Sequence, residues 1–437
     1  MPVYLDHAAT TPVLPRAIEA YTRALTEVGN PSSIHSAGQT AKRLLEDARE
    51  SVAATLGCQP IELVLTSGGT EAINLAVKGL YWARRAAGAR RILVPEGEHH
   101  ATLDAVEWLR DHEGAEVEWI PLDEQGFVRL DVLEDALARD PGSIALFTFL
   151  WANNEVGTVQ PVERMVALAA SHGVAVHVDA VSAYGHLPID FDGMRGRTGS
   201  NGDAGLVALS VSAHKIGGPV GAGGLVLSRD ATIVPLIHGG GQQRQVRSGT
   251  QDVAAAAAFA VAAREAEASR EVEGQRLTAL RDGLIAGVRK RVPGAVLSGP
   301  EPGIRAVDPG LAEPDAADTG AVDPGVADAD DGHELRLATN AHFTFPGCEG
   351  DSLLFLLDAA GVEVSTGSAC QAGIPEPSHV LRAMGRSADD ARGALRITLG
   401  RTSTQADVDA FLAALPDAYA QASRAGLAAR ESTLGAR

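Results

Sequence analysis

Six short apolar runs, at residues 62–65, 91–94, 144–150, 174–178, 206–209 and 224–227, recur between amphipathic stretches of helical spacing from about residue 14 to residue 227. Strand and helix alternating in this way commit a chain to an α/β architecture with a mostly parallel sheet, since parallel neighbours need a long crossover that is usually a helix. Ligands of such sheets bind beyond the carboxyl ends of the strands, so the residues after each run are the candidates for chemistry. The first run leads into Thr66-Ser67-Gly68-Gly69-Thr70-Glu71 and the second towards Glu98-His99-His100. The third leads into Trp151-Ala152-Asn153-Asn154-Glu155, the fourth into Asp179, and the fifth towards Ser212-Ala213-His214-Lys215.

Gly68-Gly69-Thr70 opens a helix whose apolar face carries Ile73, Val77, Leu80 and Tyr81. A glycine loop at a helix start leaves free N–H groups at the positive end of the dipole, which suits a phosphate. Taken alone, it reads more readily as a turn capped by Thr70. Lys215, taken alone, is likewise an ordinary surface lysine. Together the strand ends say more. Pyridoxal phosphate (PLP) needs a lysine for a Schiff base, an acid paired with the pyridinium nitrogen and a phosphate cradle, and Lys215, Asp179 and residues 68–70 supply all three.

Beyond about residue 260 the pattern changes. An Ala-rich helical tract at 253–268 continues past Arg281, and short strands at 295–297, 342–345 and 395–399 then alternate with helices at 352–360 and 405–425. The expected division is a large PLP-binding α/β domain, 14–260, with a mostly parallel central sheet flanked by helices. A smaller α+β domain would comprise 1–13 and 261–437. Within it, residues 306–332 carry eight acidic residues, no Lys, Arg or aromatic, and repeat Ala-Val-Asp-Pro-Gly at 306 and 321. Such a composition buries too little apolar surface to offset ordering entropy, so the stretch reads as a flexible acidic insertion. Residues 195–203 are Gly-rich and read as a second mobile loop.

The net charge of −19 argues against a nucleic-acid backbone as ligand. No run of 18 apolar residues suggests a membrane span, and the start lacks the layout of a signal peptide, so a cytoplasmic protein is expected. Cys58, Cys348 and Cys370 are odd in number and widely spaced, which suggests neither a disulfide framework nor a metal site.

Several motifs, in order, carry a resemblance. Tyr4-Leu5-Asp6-His7-Ala8-Ala9-Thr10-Thr11-Pro12, Gly29-Asn30-Pro31-Ser32-Ser33, Thr66-Ser67-Gly68-Gly69-Thr70-Glu71, Asn153-Asn154-Glu155-Val156-Gly157, Ser212-Ala213-His214-Lys215, Arg247-Ser248-Gly249-Thr250 and Ser368-Ala369-Cys370 resemble the motif series of the cysteine desulfurases. These belong to the class V aminotransferase family within the fold-type I PLP enzymes. The resemblance covers nearly the whole chain, with residues 306–332 and 195–203 outside it. It implies that Lys215 forms the Schiff base, Asp179 pairs with the ring nitrogen, His99 stacks on the ring and Asn154 lies near the ring hydroxyl. Gly69, Thr70, Ser212 and His214 would hold the phosphate, with Thr250 reaching in from the other subunit of a homodimer. Arg396, in Ala394-Leu395-Arg396-Ile397, would grip the carboxylate of L-cysteine, a task its planar fork suits. One position departs: where the family usually carries a glutamine towards the ring hydroxyl, this chain has Ser182, a shorter donor that would need a bridging water.

The PLP apparatus names a cofactor but no reaction. Cys370 sits in a small-residue loop, 364–373, expected to be mobile, whereas Cys348, beside an apolar run, and Cys58 read as structural. With the resemblance, Cys370 implies removal of sulfur from L-cysteine, giving L-alanine and an enzyme persulfide on Cys370. His99 is the acid or base for the substrate thiol. The sulfur would pass to an acceptor, either an iron-sulfur scaffold or a tRNA-thiolation enzyme. Two alternatives share the scaffold: a selenocysteine lyase, and a non-catalytic sulfur-assembly subunit, against which the intact set of Lys215, Asp179, His99, Arg396 and Cys370 speaks.

Overall fold

A computed structural model describes residues 2–305, 334–367 and 377–432, with 425–432 described by backbone alone. In chain order the strands are β1 (Val3–Tyr4), β2 (Leu63–Thr66), β3 (Arg91–Pro95), β4 (Glu116–Ile120), β5 (Ile144–Leu150), β6 (Ala175–Asp179), β7 (Gly205–Ser212), β8 (Gly223–Leu227), β9 (Val296–Leu297), β10 (Asn340–Thr344), β11 (Val362–Glu363) and β12 (Ala394–Thr398). Strands β2 to β8 form one seven-stranded sheet in the order β2-β8-β7-β6-β5-β3-β4. The five strands from β7 to β4 run parallel. β8 is antiparallel to both of its neighbours, because the link from β7 is too short for a crossover helix. The mostly parallel sheet expected from the sequence is therefore present.

Every residue of β5, β6, β7 and β8 is buried. Strands covered on both faces lose the apolar–polar alternation and become continuous apolar runs. Phe147, Phe149, Val176 and Val178 enter the core on one face, and Leu146, Ala175 and Val207 enter the core on the other. β4 escapes the sequence reading because it is a charged edge: its Glu118 holds Arg91 at 2.5 Å and also pairs with Arg139. Charges on an edge strand discourage further pairing. From β3 the chain steps outwards to β4, then returns to β5 and continues through β6 and β7. The strand order thus reverses between β3 and β5, and the crevice beyond their carboxyl ends is the topological switch point.

The remaining strands build a smaller α+β unit, with an antiparallel sheet of order β12-β10-β9 and a parallel pair β1-β11. A separate core forms on it from Leu5, Phe343, Phe345, Leu395, Ile397 and Phe411. This small core and the large one around Phe147 and Phe149 share one helix of 39 residues, Val253–Arg291. Asp252 caps it by accepting the Ala255 N–H at 2.9 Å, and Arg289, Lys290 and Arg291 complement the dipole of its last turn. Phe259 and the alanines around it lie in the large core, while Leu277, Leu284, Ile285 and Val288 lie in the small one.

Residues 306–332 fall outside the described residues. Their flanks meet, with Arg305 and Glu334 forming an antiparallel bridge. The segment at 195–203 begins with the last turn of a helix and otherwise keeps the turns expected from its glycines. Asp190 caps a helix, Phe191–Arg197, and Ser200 Oγ then ties the chain to Thr198 Oγ1 at 2.8 Å and to the Leu206 N–H at 2.9 Å. Among the described residues no helix is long and apolar enough to cross a membrane.

Candidate active site

The glycine loop after β2 ends in the helix Gly69–Arg85, with Gly68 outside it in a backbone conformation (φ 149°) that L side chains rarely adopt. The first N–H groups of any helix lack intrahelical acceptors. A Cβ on Gly69 would lie 2.7 Å from Val181 Cγ2 and 3.6 Å from Ser212 Cβ, so only glycine leaves that hollow open. The Ser212 hydroxyl beside it is buried without a hydrogen-bond partner among the described residues, and leaving such a group unpaired costs about 1–3 kcal/mol. His214 Nδ1 lies 3.2 Å from Thr10 Oγ1. Open helix N–H groups, an orphaned hydroxyl and a hollow closed to any Cβ fit a phosphate, so the residues present suit PLP. Glu71, which would repel an anion here, is turned aside. Arg247 binds it at 2.9 and 3.3 Å and the Ser67 N–H at 2.7 Å. Burial opposes its ionisation, yet these bonds hold it below the usual carboxylate range.

Asp179 ends β6 at 2% exposure, with Oδ1 accepting the Val181 N–H at 2.9 Å. Burial pushes its carboxyl up to about 6, against the Val181 bond and the Lys215 charge. Lys215 Nζ donates to the carbonyls of Ala8 and, at 2.9 Å, Ala9. Burial and Arg396 bring it down to about 8, while Asp6 and Asp179 pull it upwards. His99 begins the helix His100–Glu113 and accepts the Ala101 N–H on Nδ1 at 3.1 Å. His99 as a residue is exposed, but burial of its imidazole among protein groups and the Lys215 charge lower its pKa to about 4. At neutral pH it is therefore an uncharged ring with Nδ1 fixed as acceptor and Nε2 left as donor.

Arg396 comes from β12, its side chain 6% exposed. Nη1 donates to the Asn154 carbonyl at 3.0 Å and Nη2 to Asp6 Oδ1 at 2.8 Å, while the buried Nε has no partner among the described residues. Opposite it on β10 stands His342, fully buried with neither ring nitrogen paired among the described residues. Ser378 donates to Glu155 at 2.5 Å and His379 to the Glu98 carbonyl at 2.8 Å. Glu98 itself is buried, and its carboxyl is raised well above the usual range by burial and by nearby Asp179.

Lys215, Asn154 and Ser182 share the wall of a cavity of about 320 Å³ with His7, His186 and Asn340. Of the expected residues, Asn154, Ser182 and Lys215 line this cavity; Arg396 is tied to Asn154, the Lys215 charge acts on His99, Asp179 and His214, and Gly69, followed by Thr70, lies beside Ser212. Thr250 is exposed, in the segment that Arg247 ties to Glu71, and does not line this cavity. Cys370 lies outside the described residues. Cys348 is buried and Cys58 partly so, both unpaired, and burial raises both thiols, as suits structural cysteines. Among the described residues no group of side chains has the makings of a metal site. Sequence reasoning did not find Asp6, His342 or the two carbonyls facing Lys215. Asp6, Ala8 and Ala9 stood in a quoted motif without a role; nothing in the sequence marks His342.

The family model for aminotransferase class-V matches residues 3–281 and 329–411, and so skips most of the acidic insertion. The chain is 50% identical over 428 residues to an IscS-like cysteine desulfurase of Mycobacterium tuberculosis, covering 98% of each chain. It is 38% identical over 408 residues to the cysteine desulfurase IscS of Dictyoglomus turgidum, across 93% of this chain and 92% of the relative. A solved structure described as a NifS-like protein superposes with a TM-score of 0.80 at 32% identity, over 96% of this chain and 100% of the other.

Proposed function

We propose, from the premise that this chain belongs to the class-V aminotransferase family and is a PLP-dependent cysteine desulfurase, that the strand-end groups take sulfur from L-cysteine as a persulfide on Cys370. One observation supports this placement above the rest: a lysine amine lowered to about 8, a buried acid and an orphaned hydroxyl beside a helix start stand at the carboxyl ends of the neighbouring strands β6 and β7. Gly69, Thr70, Ser212 and His214 would hold the phosphate and Asp179 the ring nitrogen. His99 would cover the ring face, with Asn154 and Ser182 towards the ring hydroxyl. Bound PLP supplies an electron sink conjugated to the substrate Cα.

The chain's own groups do the rest. Arg396 holds the substrate carboxylate, and the Lys215 amine takes the proton from Cα and returns one later. His99, neutral with Nε2 free to donate, manages the proton on the substrate sulfur. The Cys370 thiolate attacks that sulfur; the new S–S bond forms as the carbon–sulfur bond breaks, and its electron pair stays on carbon, where protonation yields alanine. Mass spectrometry of the holoenzyme after L-cysteine should show one added sulfur on Cys370. Cys370→Ala should keep the yellow cofactor and release no alanine; alanine release at the parent rate would refute the persulfide route.

A homodimer fits exposed Thr250, which would reach the phosphate of a second copy. The chain divides at about residue 260 into a large unit and a small one that includes residues 1–13, a division supported by Leu5 in one core and Leu14 in the other. The unpaired thiols of Cys58 and Cys348 suit a reducing, cytoplasmic setting. The acidic surface suits a sulfur acceptor with a basic face, an iron-sulfur scaffold or a tRNA-thiolation enzyme.

A further inference from the structure

We propose that Asp6 is a resident stand-in for the substrate carboxylate on Arg396, so that substrate binding is an exchange of one carboxylate for another. The inference rests on Arg396 as the carboxylate grip. A guanidinium at 6% exposure needs a counter-charge, because a buried cation left alone costs several kcal/mol. In the resting protein Asp6 provides it through a single end-on contact at 2.8 Å. Among the described residues that contact leaves the fork half used, since Nη1 goes to a carbonyl and Nε has no partner. A substrate carboxylate that took two N–H groups would bind better than Asp6 does.

Asp6 is built to let go. Its backbone is fixed by a parallel bridge to Thr398, by the Ala8 N–H donating to Thr398 Oγ1 at 2.9 Å, and by the Tyr4 hydroxyl donating to the Asp6 carbonyl at 3.0 Å. Its side chain, at 21% exposure, has a way out to solvent that Arg396 lacks. Asp6 also acts on the second cation, since its charge favours protonated Lys215. One carboxylate therefore serves both positive groups until the substrate's own carboxylate arrives.

The test uses holoenzyme and two probes, L-alanine and ethylamine, the same amine without the carboxylate. Dissociation constants come from the cofactor absorbance, alongside kcat and KM for L-cysteine. Asp6→Asn should bind alanine about three- to tenfold more tightly with ethylamine unchanged. KM for cysteine should fall in step with the alanine constant. Asp6→Ala should shift in the same direction, and Asp6→Glu, which restores the charge, should return towards the parent. Unchanged or weaker alanine binding in both Asp6→Asn and Asp6→Ala overturns the proposal, as does an equal shift for both probes. Arg396→Lys separates the two readings: loss of the preference for alanine upholds the grip whatever Asp6 does, and an intact preference removes the grip and the exchange with it.

Discussion

Lys215 has an amine held near pKa 8 by burial and by Arg396, where a lysine in water keeps its proton to above about 10. Only the neutral amine condenses with an aldehyde, so uptake of PLP by the apoprotein should quicken as pH rises through about 8 and level off above it. Asp179, at about 6, is already ionised across that range. Stopped-flow absorbance at several pH values reads the profile, and a rise centred near 10 would show that the amine is not shifted. Most of the residues that make up this site could be read from the sequence because each follows an apolar run. Asp6 and His342 could not, since their contacts with Arg396 depend on two registers, Asp6 beside Thr398 and His342 opposite Arg396. A register couples distant residues and leaves no local mark.

Among the elements, the helix Val253–Arg291 carries the clearest contrast. Gly274 stands where the helix passes between the cores, and a Cβ there meets nothing within 4 Å. Gly274→Ala should stabilise the protein by about 0.5–1 kcal/mol, because glycine inside a helix costs that much backbone entropy. Gly287 faces the small core, where a Cβ would meet Leu412 Cδ1 and lie 2.9 Å from its Cδ2. Gly287→Ala should therefore cost about 1–3 kcal/mol through overpacking. Urea midpoints of the two variants should move in opposite directions; a neutral Gly287→Ala would mean that Leu412 yields. Its alanine-rich composition marked this helix from residue 253 to past Arg281, and double burial made β5 to β8 plain. β1 and β11, at two residues each, are too short to leave a pattern.

On the scale of the molecule, the acidic insertion is attached at a closed base. Beyond the bridge from Arg305 to Glu334, fully buried Arg281 holds Glu334 at 2.6 Å, and Arg336 donates to the Pro300 carbonyl at 2.6 Å and the Val156 carbonyl at 3.0 Å. Replacing residues 306–333 with a short Gly-Ser link should leave cysteine turnover intact and raise stability by about 1–2 kcal/mol through cheaper loop closure. Lower stability in denaturant titration, or lost turnover, would show that the segment is part of the packed structure. The strap of residues 4–11 bears on how the molecule is made. The Ala8 N–H finds its acceptor on Thr398, 390 residues along the chain, and Asp6 meets Arg396 at the same separation. During synthesis the phosphate hollow and Lys215 emerge well before β12. A nascent chain would thus be able to capture its cofactor before the proposed carboxylate grip forms, and the strap of residues 4–11 must wait for β12 to find its partners.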